Sequence, residues 1–260
     1  MKPTKKHEGG PEKDQSLPPP KLRTDGGNSS GAIVPLHPDV PAYLSENYTW
    51  AYLNPRNIRF LDHELVVSAI LFGNNRRLRR ATFAELTVGS TVLQSASVYG
   101  DFCVHLARHI GPDGRLDIID VAPIQVARCR HKSRNFPQVS TQLSDAASFQ
   151  SGNYDTVCCY FLLHEMPDAY RRKTVDNLLA NLAPGGSAVF VDYHKPHWLN
   201  PLKPLMILVF RFLEPFAKGL WQSEIKDFAG NPQGFNWHKE TYFAGMYQKV
   251  VARRAPDSQS

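Results

Sequence analysis

The chain is poor in the residues that build covalently or metal-stapled scaffolds. Its 260 residues include four cysteines, Cys103, Cys129, Cys158 and Cys159. No Cys-x-x-Cys pair occurs, which argues against a zinc knuckle and against a disulfide framework, and a reducing compartment fits. Cys158 and Cys159 are adjacent in an apolar run and read as small buried residues. No uninterrupted apolar stretch approaches the roughly 18–20 residues that a membrane-spanning helix needs. No apolar core follows the basic N-terminus Met1-Lys-Pro-Thr-Lys-Lys, so a secretory signal is not expected, and Glu8, Glu12 and Asp14 argue against a mitochondrial transit peptide. An internal repeat is absent. So is an Asn-Pro-Pro-aromatic segment of the kind that handles a flipped base, which disfavours a nucleic-acid substrate.

What is present is the composition of an ordinary folded domain. Hydrophobic residues make up 42% and charged residues 21%, enough for a sizeable core. Lys and Arg number 30 against 24 Asp and Glu, a formal net charge of +6, so anionic partners are favoured: nucleic acid, acidic phospholipid or a charged cofactor. Residues 1–40, rich in Pro, Gly, Lys and Ser, are expected to form a disordered tail. The ordered domain is expected over 41–254. It divides into a helical cap (41–87), a core (88–195) and a segment facing substrate or membrane with the final strands (196–254).

Ile58, Leu61, Leu65, Ala69 and Phe72 recur at helical spacing and predict helix over Asn57–Leu86. Arg76, Arg77, Arg79 and Arg80 follow as a solvated face or a contact for an anion. Strands and helices then alternate. Thr91–Ser95 reads as strand, Phe102, Leu106 and Ile110 as helix, and Arg115–Val121 as strand. Pro123 starts a second helix, and Val139–Leu143 and Tyr154–Phe161 are further strands. A helix over Asp168–Leu182 stops at Pro184-Gly185-Gly186, and Ser187–Tyr193 is the fifth strand. Glu240–Arg253 reads as a closing hairpin. This order predicts an α/β fold, a mainly parallel seven-stranded sheet with helices on both faces. Ligands of such sheets bind beyond the carboxyl ends of the strands. The apolar stretch 201–220 carries Lys203, Arg211 and Glu214 and is expected to be a buried helix, a cover for the site or a surface element at a bilayer.

Four places resemble the Rossmann-like class I S-adenosylmethionine-dependent methyltransferases. The first is the loop after strand one, Gln94-Ser-Ala96-Ser-Val98-Tyr99-Gly100-Asp101. The family has an acid and then spaced glycines there, which let backbone approach the cofactor. Here Gln94 takes the acid's place and only Gly100 remains. The second is Asp120, followed by Val121, at the end of strand two, where an acid accepts ribose hydroxyls. The third is Asp145-Ala146, which the family places near adenine; a local cap is the competing role for Asp145. The fourth and most specific is Tyr154-Asp-Thr-Val through Phe161 to His164-Glu165-Met-Pro167.

Together with Trp50-Ala-Tyr-Leu-Asn-Pro and the Val98-Tyr-Gly-Asp loop, the altered first motif resembles the rhodoquinone-biosynthesis branch of this fold. That resemblance implies conversion of ubiquinone to rhodoquinone, an amino group replacing a ring methoxy group. It implies S-adenosylmethionine as amino donor, manganese as a helpful metal, and cofactor contacts at Gln94, Ala96, Tyr99, Gly100, Asp120, Val121, Asp145, Ala146 and Phe161. Tyr99, His164 and Glu165 would be catalytic. Metal-ligand candidates by type and position are Asp145, His164, Glu165, Asp192, His194 and His197. The membrane-bound quinone would bring the protein to the cytoplasmic face of an inner membrane. The alternative is methyl transfer to a quinone precursor or other lipid.

Overall fold

Residues that are apolar on both sides of a strand need cover on both faces of the sheet, and this requirement sets the architecture. The computed structural model describes residues 41, 44, 55–212, 214 and 216–254. The tail over 1–40 and the Trp50–Asn54 part of the resemblance lie outside the described residues. The elements are α1 (Pro55–Leu61), α2 (Glu64–Ile70), α3 (Asn75–Phe83), β1 (Thr91–Gln94), α4 (Phe102–Ile110), β2 (Arg115–Asp120), α5 (Pro123–Ser133), β3 (Val139–Leu143), β4 (Tyr154–Tyr160), α6 (Asp168–Ala180), β5 (Leu182–Tyr193), α7 (Lys203–Phe212), β6 (Phe235–Tyr242) and β7 (Tyr247–Arg254). One seven-stranded sheet runs β3-β2-β1-β4-β5-β7-β6. β1 to β5 are parallel, while β7 lies antiparallel to β5 and pairs with β6 as a hairpin. This is the seven-stranded, mostly parallel Rossmann-like α/β fold that the sequence predicts. The strand order reverses between β1 and β4, which marks the ligand crevice.

Two cores flank the sheet. Val92, Cys158, Tyr160, Val189 and Val191 face one with helices α2 to α5 and α7. Leu93, Val157, Cys159, Ala188 and Phe190 face the other with α6. The period of two along each strand sorts them. Burying one Val or Leu is worth about 1.5–3 kcal/mol, more than the ~1 kcal/mol span of strand propensities, so burial fixes these strands. Cys158 and Cys159 fall on opposite faces, and burial pushes the Cys158 thiol up to about 12.

Two sequence expectations are corrected in detail. The stretch Asn57–Leu86 is three short helices, not a continuous one. The chain breaks at Asp62-His63 and again at Phe72-Gly73, whose φ values of +49° and +77° end the helical path. Asn74 stabilises the second break: its Nδ2 donates to the carbonyls of Leu71 and Phe72 at 3.1 Å each, and its backbone N–H to the Leu71 carbonyl at 2.9 Å, giving donors to a helix end that has none of its own. The Pro184-Gly185-Gly186 stop is part of β5, which begins at Leu182. It lies where the pairing with β4 shifts register between Tyr154 and Thr156. A Cβ on Gly186 would approach the Tyr154 carbonyl to 2.8 Å.

Candidate functional site

β1 and β2 end side by side, so their carboxyl-end loops form the walls of one cleft. Asp120 is its pivot. One carboxylate oxygen accepts the Ser97 N–H from the loop after β1, and the other accepts the Ala122 N–H, both at 2.8 Å. Burial pushes this carboxyl up to about 6, against the lowering effect of the Ala122, Ser97 and Val121 amides. Ala96, Asp120, Val121, Asp145, Ala146 and Phe161 all line the cleft, as does Glu165. It encloses about 520 Å³ of space between side chains, open solvent included. Asp145 is also a local cap: its Oδ1 accepts the Ala147 N–H at 2.8 Å and its Oδ2 accepts the Tyr170 hydroxyl.

Three of the expected cofactor residues do not line this cleft. Gln94 is fully buried, and its Nε2 donates to the Ala96 carbonyl at 2.7 Å. Its Oε1 is a buried acceptor with no partner among the described residues. Tyr99 turns towards α5 and accepts from Gln125 Nε2 at 3.0 Å. Burial raises its ionisation well above the ordinary tyrosine range, so the phenol keeps its proton. Gly100 has φ +75°, and a Cβ there would meet Glu64 Oε2 at 2.7 Å. The surviving glycine of the motif is favoured by its left-handed backbone, and the Glu64 carboxylate of the helical layer would have to move aside for any side chain there. Asp62 Oδ1 accepts the Gly100 N–H at 3.1 Å, and Lys132 Nζ donates to the Gly100 carbonyl at 2.6 Å. Asp62 also pairs with both Arg128 and Lys132. Glu64 takes Arg79 at 2.9 Å and the Asp101 N–H at 3.3 Å.

The β4 exit carries the second cluster. Phe161, at φ +51°, bends the chain so that a short 3₁₀ turn, Leu163–Glu165, follows. A left-handed non-glycine residue of this size is sparsely populated and marks a constrained site. His164 is buried. Its Nδ1 lies 2.9 Å from Asp192 Oδ1 at the end of β5, while its Nε2 faces Glu165 at 3.9 Å and Glu214 at 3.8 Å. Burial alone would lower its pKa, but the carboxylates of Asp192, Glu214 and Glu165 outweigh burial and raise it to about 9. At neutral pH it is an imidazolium, a donor and not a base. Glu214 was visible in the sequence only as an acid inside an apolar run, and an acid in such a place is the signal that could have flagged it.

The metal candidates do not converge. Asp145 is held by Ala147 and Tyr170, and Asp192 is buried behind His164. The His194 ring is taken by the Gly245 carbonyl and Lys239, and His197 is exposed. Among the described residues, no group of three or more His, Cys, Asp or Glu is arranged to hold a metal ion. The expectation of manganese finds no support among the described residues.

Comparison with known proteins agrees with this geometry. Residues 92–186 match a family described as methyltransferase domain. The solved structure of an S-adenosylmethionine-dependent methyltransferase from Aquifex aeolicus shares the fold, with a TM-score of 0.53 at 19% identity, over 78% of this chain and 100% of that one. Fold and match agree: residues 92–186 resemble a methyltransferase domain and lie on the Rossmann-like sheet of that class. Among curated proteins the chain is similar to quinone methyltransferases. It is 27% identical over 150 residues to the ubiquinone/menaquinone biosynthesis C-methyltransferase of Pasteurella multocida, covering 55% of each chain. To a demethylmenaquinone methyltransferase of Bacillus cytotoxicus it is 22% identical over 204 residues, 75% of this chain and 81% of that protein. The chain thus spans about half the length of the first of these relatives.

Proposed function

We propose that the protein is an S-adenosylmethionine-using transferase acting on the ring of an isoprenoid quinone, and that the group it transfers is an amino group. The quinone acceptor is supported by the relatives, which are quinone methyltransferases by name. In this reading the cofactor's ribose meets Asp120, its adenine lies by Asp145-Ala146, and its methionine end points to the Ala96–Gly100 loop. The observation that carries the amino reading is Gln94. Where the family has an acid, a neutral amide stands with a buried, unpartnered oxygen. A carboxylate beside an amine favours the ammonium, which has no lone pair; with a neutral amide behind the loop after β1, no carboxylate at that position biases the cofactor's nitrogen towards the charged form. The freed amine attacks the methoxy-bearing ring carbon, Glu165 takes the proton that the nitrogen sheds and returns it to the departing methoxide, and methanol leaves with cofactor and ring joined through a secondary amine. Loss of a proton from the cofactor's β-carbon then breaks its Cα–N bond, the bonding electrons and a proton going to nitrogen, so that the aminoquinone leaves and the cofactor fragment ends as an α,β-unsaturated acid. His164, as an imidazolium, holds the Glu165 carboxylate at the cleft wall. Manganese stays an implication of the resemblance, and no step is assigned to it.

Methyl transfer to a quinone precursor is the second reading, and the names of the relatives favour it over amino transfer. Expression in a host that makes only ubiquinone, with mass spectrometry of its lipid quinones, separates the two. An aminoquinone lighter than ubiquinone by the methoxy-for-amino exchange is expected. Gln94→Asp should abolish it while leaving S-adenosylmethionine binding measurable. A methylated quinone with no aminoquinone would overturn the amino reading, and undiminished amination by Gln94→Asp would remove the role given to Gln94.

A further inference from the structure

α7 is apolar on the wrong side. Its inner face buries Met206 and Phe210 and half-buries Val209, the spacing of a helix packed on a core. Its outer face should then be polar, yet it presents Leu205, Ile207 and Leu208 at 43%, 50% and 54% exposure. Just before it, Trp198 and Leu199 are 73% and 64% exposed. Fully covering such side chains is worth about 1.5–3 kcal/mol each, and a contiguous group of them marks an interaction surface.

Contacts join this group to two neighbouring turns. The His197 N–H donates to the Ala244 carbonyl at 2.9 Å, and Asn200 Nδ2 donates to the Phe243 carbonyl at 3.1 Å, both in the β6–β7 turn. Phe243 stacks on Phe72 of the α2–α3 turn, ring centres 6.1 Å apart. Ile70, 47% exposed, lies beside that turn. Cations flank the patch in its own segment, Lys195 and Lys203 on either side of Trp198-Leu199 and Arg211 at the end of α7, and Arg77 of α3 reaches the end of β6. The Arg77 guanidinium lies over the Tyr242 ring at 5.3 Å. β5 ends at Tyr193, which pairs with Tyr247 next to the same turn. The patch therefore sits at the carboxyl end of the parallel strands, the end that holds the cleft.

We propose that Trp198, Leu199 and the outward side of α7 dock the protein on an anionic phospholipid surface. An apolar centre, a cationic rim and a tryptophan between them suit the boundary between headgroups and acyl chains. A second copy of the chain would set the same cations against each other in a protein of net charge +6. The ten-residue helix is far too short to cross the bilayer. The choice of a bilayer rests on the proposed quinone acceptor, whose tail keeps it in the membrane; the exposed patch does not depend on it.

Sedimentation of the full chain with vesicles tests this without any substrate. At low salt the protein should sediment with phosphatidylcholine–phosphatidylglycerol vesicles and much less with phosphatidylcholine alone. Leu205→Gln combined with Leu208→Gln should weaken binding by roughly tenfold or more, with an unchanged circular dichroism spectrum and unchanged turnover of a short-tailed, water-soluble quinone. Quenching of tryptophan fluorescence by brominated lipids should be lost in Trp198→Phe. The proposal is overturned if the wild-type protein stays in the supernatant, or if the double variant sediments as well as wild type. A dimer that the double variant converts to monomer, without vesicle binding, would assign the patch to a second copy instead. Intact vesicle binding with no product from any quinone would sink the acceptor reading and not the docking surface.

Discussion

Asp120 shows how a single carboxyl can set the pH range of ligand binding. Its two oxygens already accept one amide each, leaving lone pairs for ribose hydroxyls. Burial raises its pKa to about 6, so in the proposed complex proton and ribose would compete for the same oxygens. The sign follows: above pH 6 the carboxylate is available, and below it S-adenosylmethionine binding should weaken, approaching about tenfold per pH unit. Calorimetric titration between pH 5 and 8 reads this directly. Asp120→Asn should bind roughly 10–100-fold more weakly, the worth of charge-assisted hydrogen bonds, with a flat pH profile. A wild-type affinity that does not change across this range would show that Asp120 does not receive the ribose. Asp120, Asp145 and Glu165 could be picked out in the sequence because each follows a strand that its own residues announce. The pairing of His164 with Asp192 could not, since it needs β4 and β5 to lie side by side and joins positions 28 apart in sequence.

At the scale of elements, the 3₁₀ turn that carries His164 and Glu165 depends on a cation one helix away. Arg171 of α6 is fully buried. Its Nε donates to the Leu163 carbonyl at 2.9 Å, and its Nη2 to the Met166 and Phe216 carbonyls at 2.9 and 3.1 Å. It thereby ties both ends of the turn to the segment after α7, and a Cβ on Gly219 would come within 2.8 Å of it. Arg171→Met keeps much of the volume but removes three charge-assisted hydrogen bonds, although the Leu163 and Phe216 carbonyls keep the N–H groups of Met166 and Gly219. Hydrogen bonds to a charged group are worth about 1.5–3 kcal/mol each, so a loss of about 3 kcal/mol or more is expected in urea unfolding. Arg171→Lys should rescue little, because an ammonium cannot reproduce the planar fork. Near-wild-type stability of Arg171→Met would mean that solvent or rearranged backbone replaces the arginine. Hydrophobic periodicity announced α4, α5 and β1 to β5 within a few residues. It ran straight through the break at Phe72-Gly73, because an apolar side chain at helical spacing looks the same whether its φ is −60° or +49°. Arg171 was equally silent: in the sequence it is one basic residue among several on a helix.

At the scale of the whole molecule, the helical layer α1–α3 is more than a cover. In the family the first loop has glycines and an acid; here it has bulk, and what shapes it comes from outside the core. Asp62 and Glu64, at the junction of α1 and α2, accept the N–H groups of Gly100 and Asp101. Asp62 also neutralises Arg128 and Lys132 of α5. One carboxylate thus links the helical layer, the cofactor loop and the helix after β2. No local motif could reveal this, because its partners are 38, 66 and 70 residues away. The linkage makes a prediction that separates it from simple packing. Asp62→Ala leaves two partly buried cations without their carboxylate and frees the Gly100 amide. Breaking such a pair from one side is expected to cost about 3 kcal/mol, read as a fall in thermal midpoint. Because the loop forms one wall of the cleft, S-adenosylmethionine affinity should fall too, even where the variant is fully folded. Asp62→Asn keeps an acceptor for Gly100 but no charge, so it should recover part of the affinity and little of the stability. If both variants lose stability and bind the ligand as wild type does, the layer holds the domain together without shaping its site.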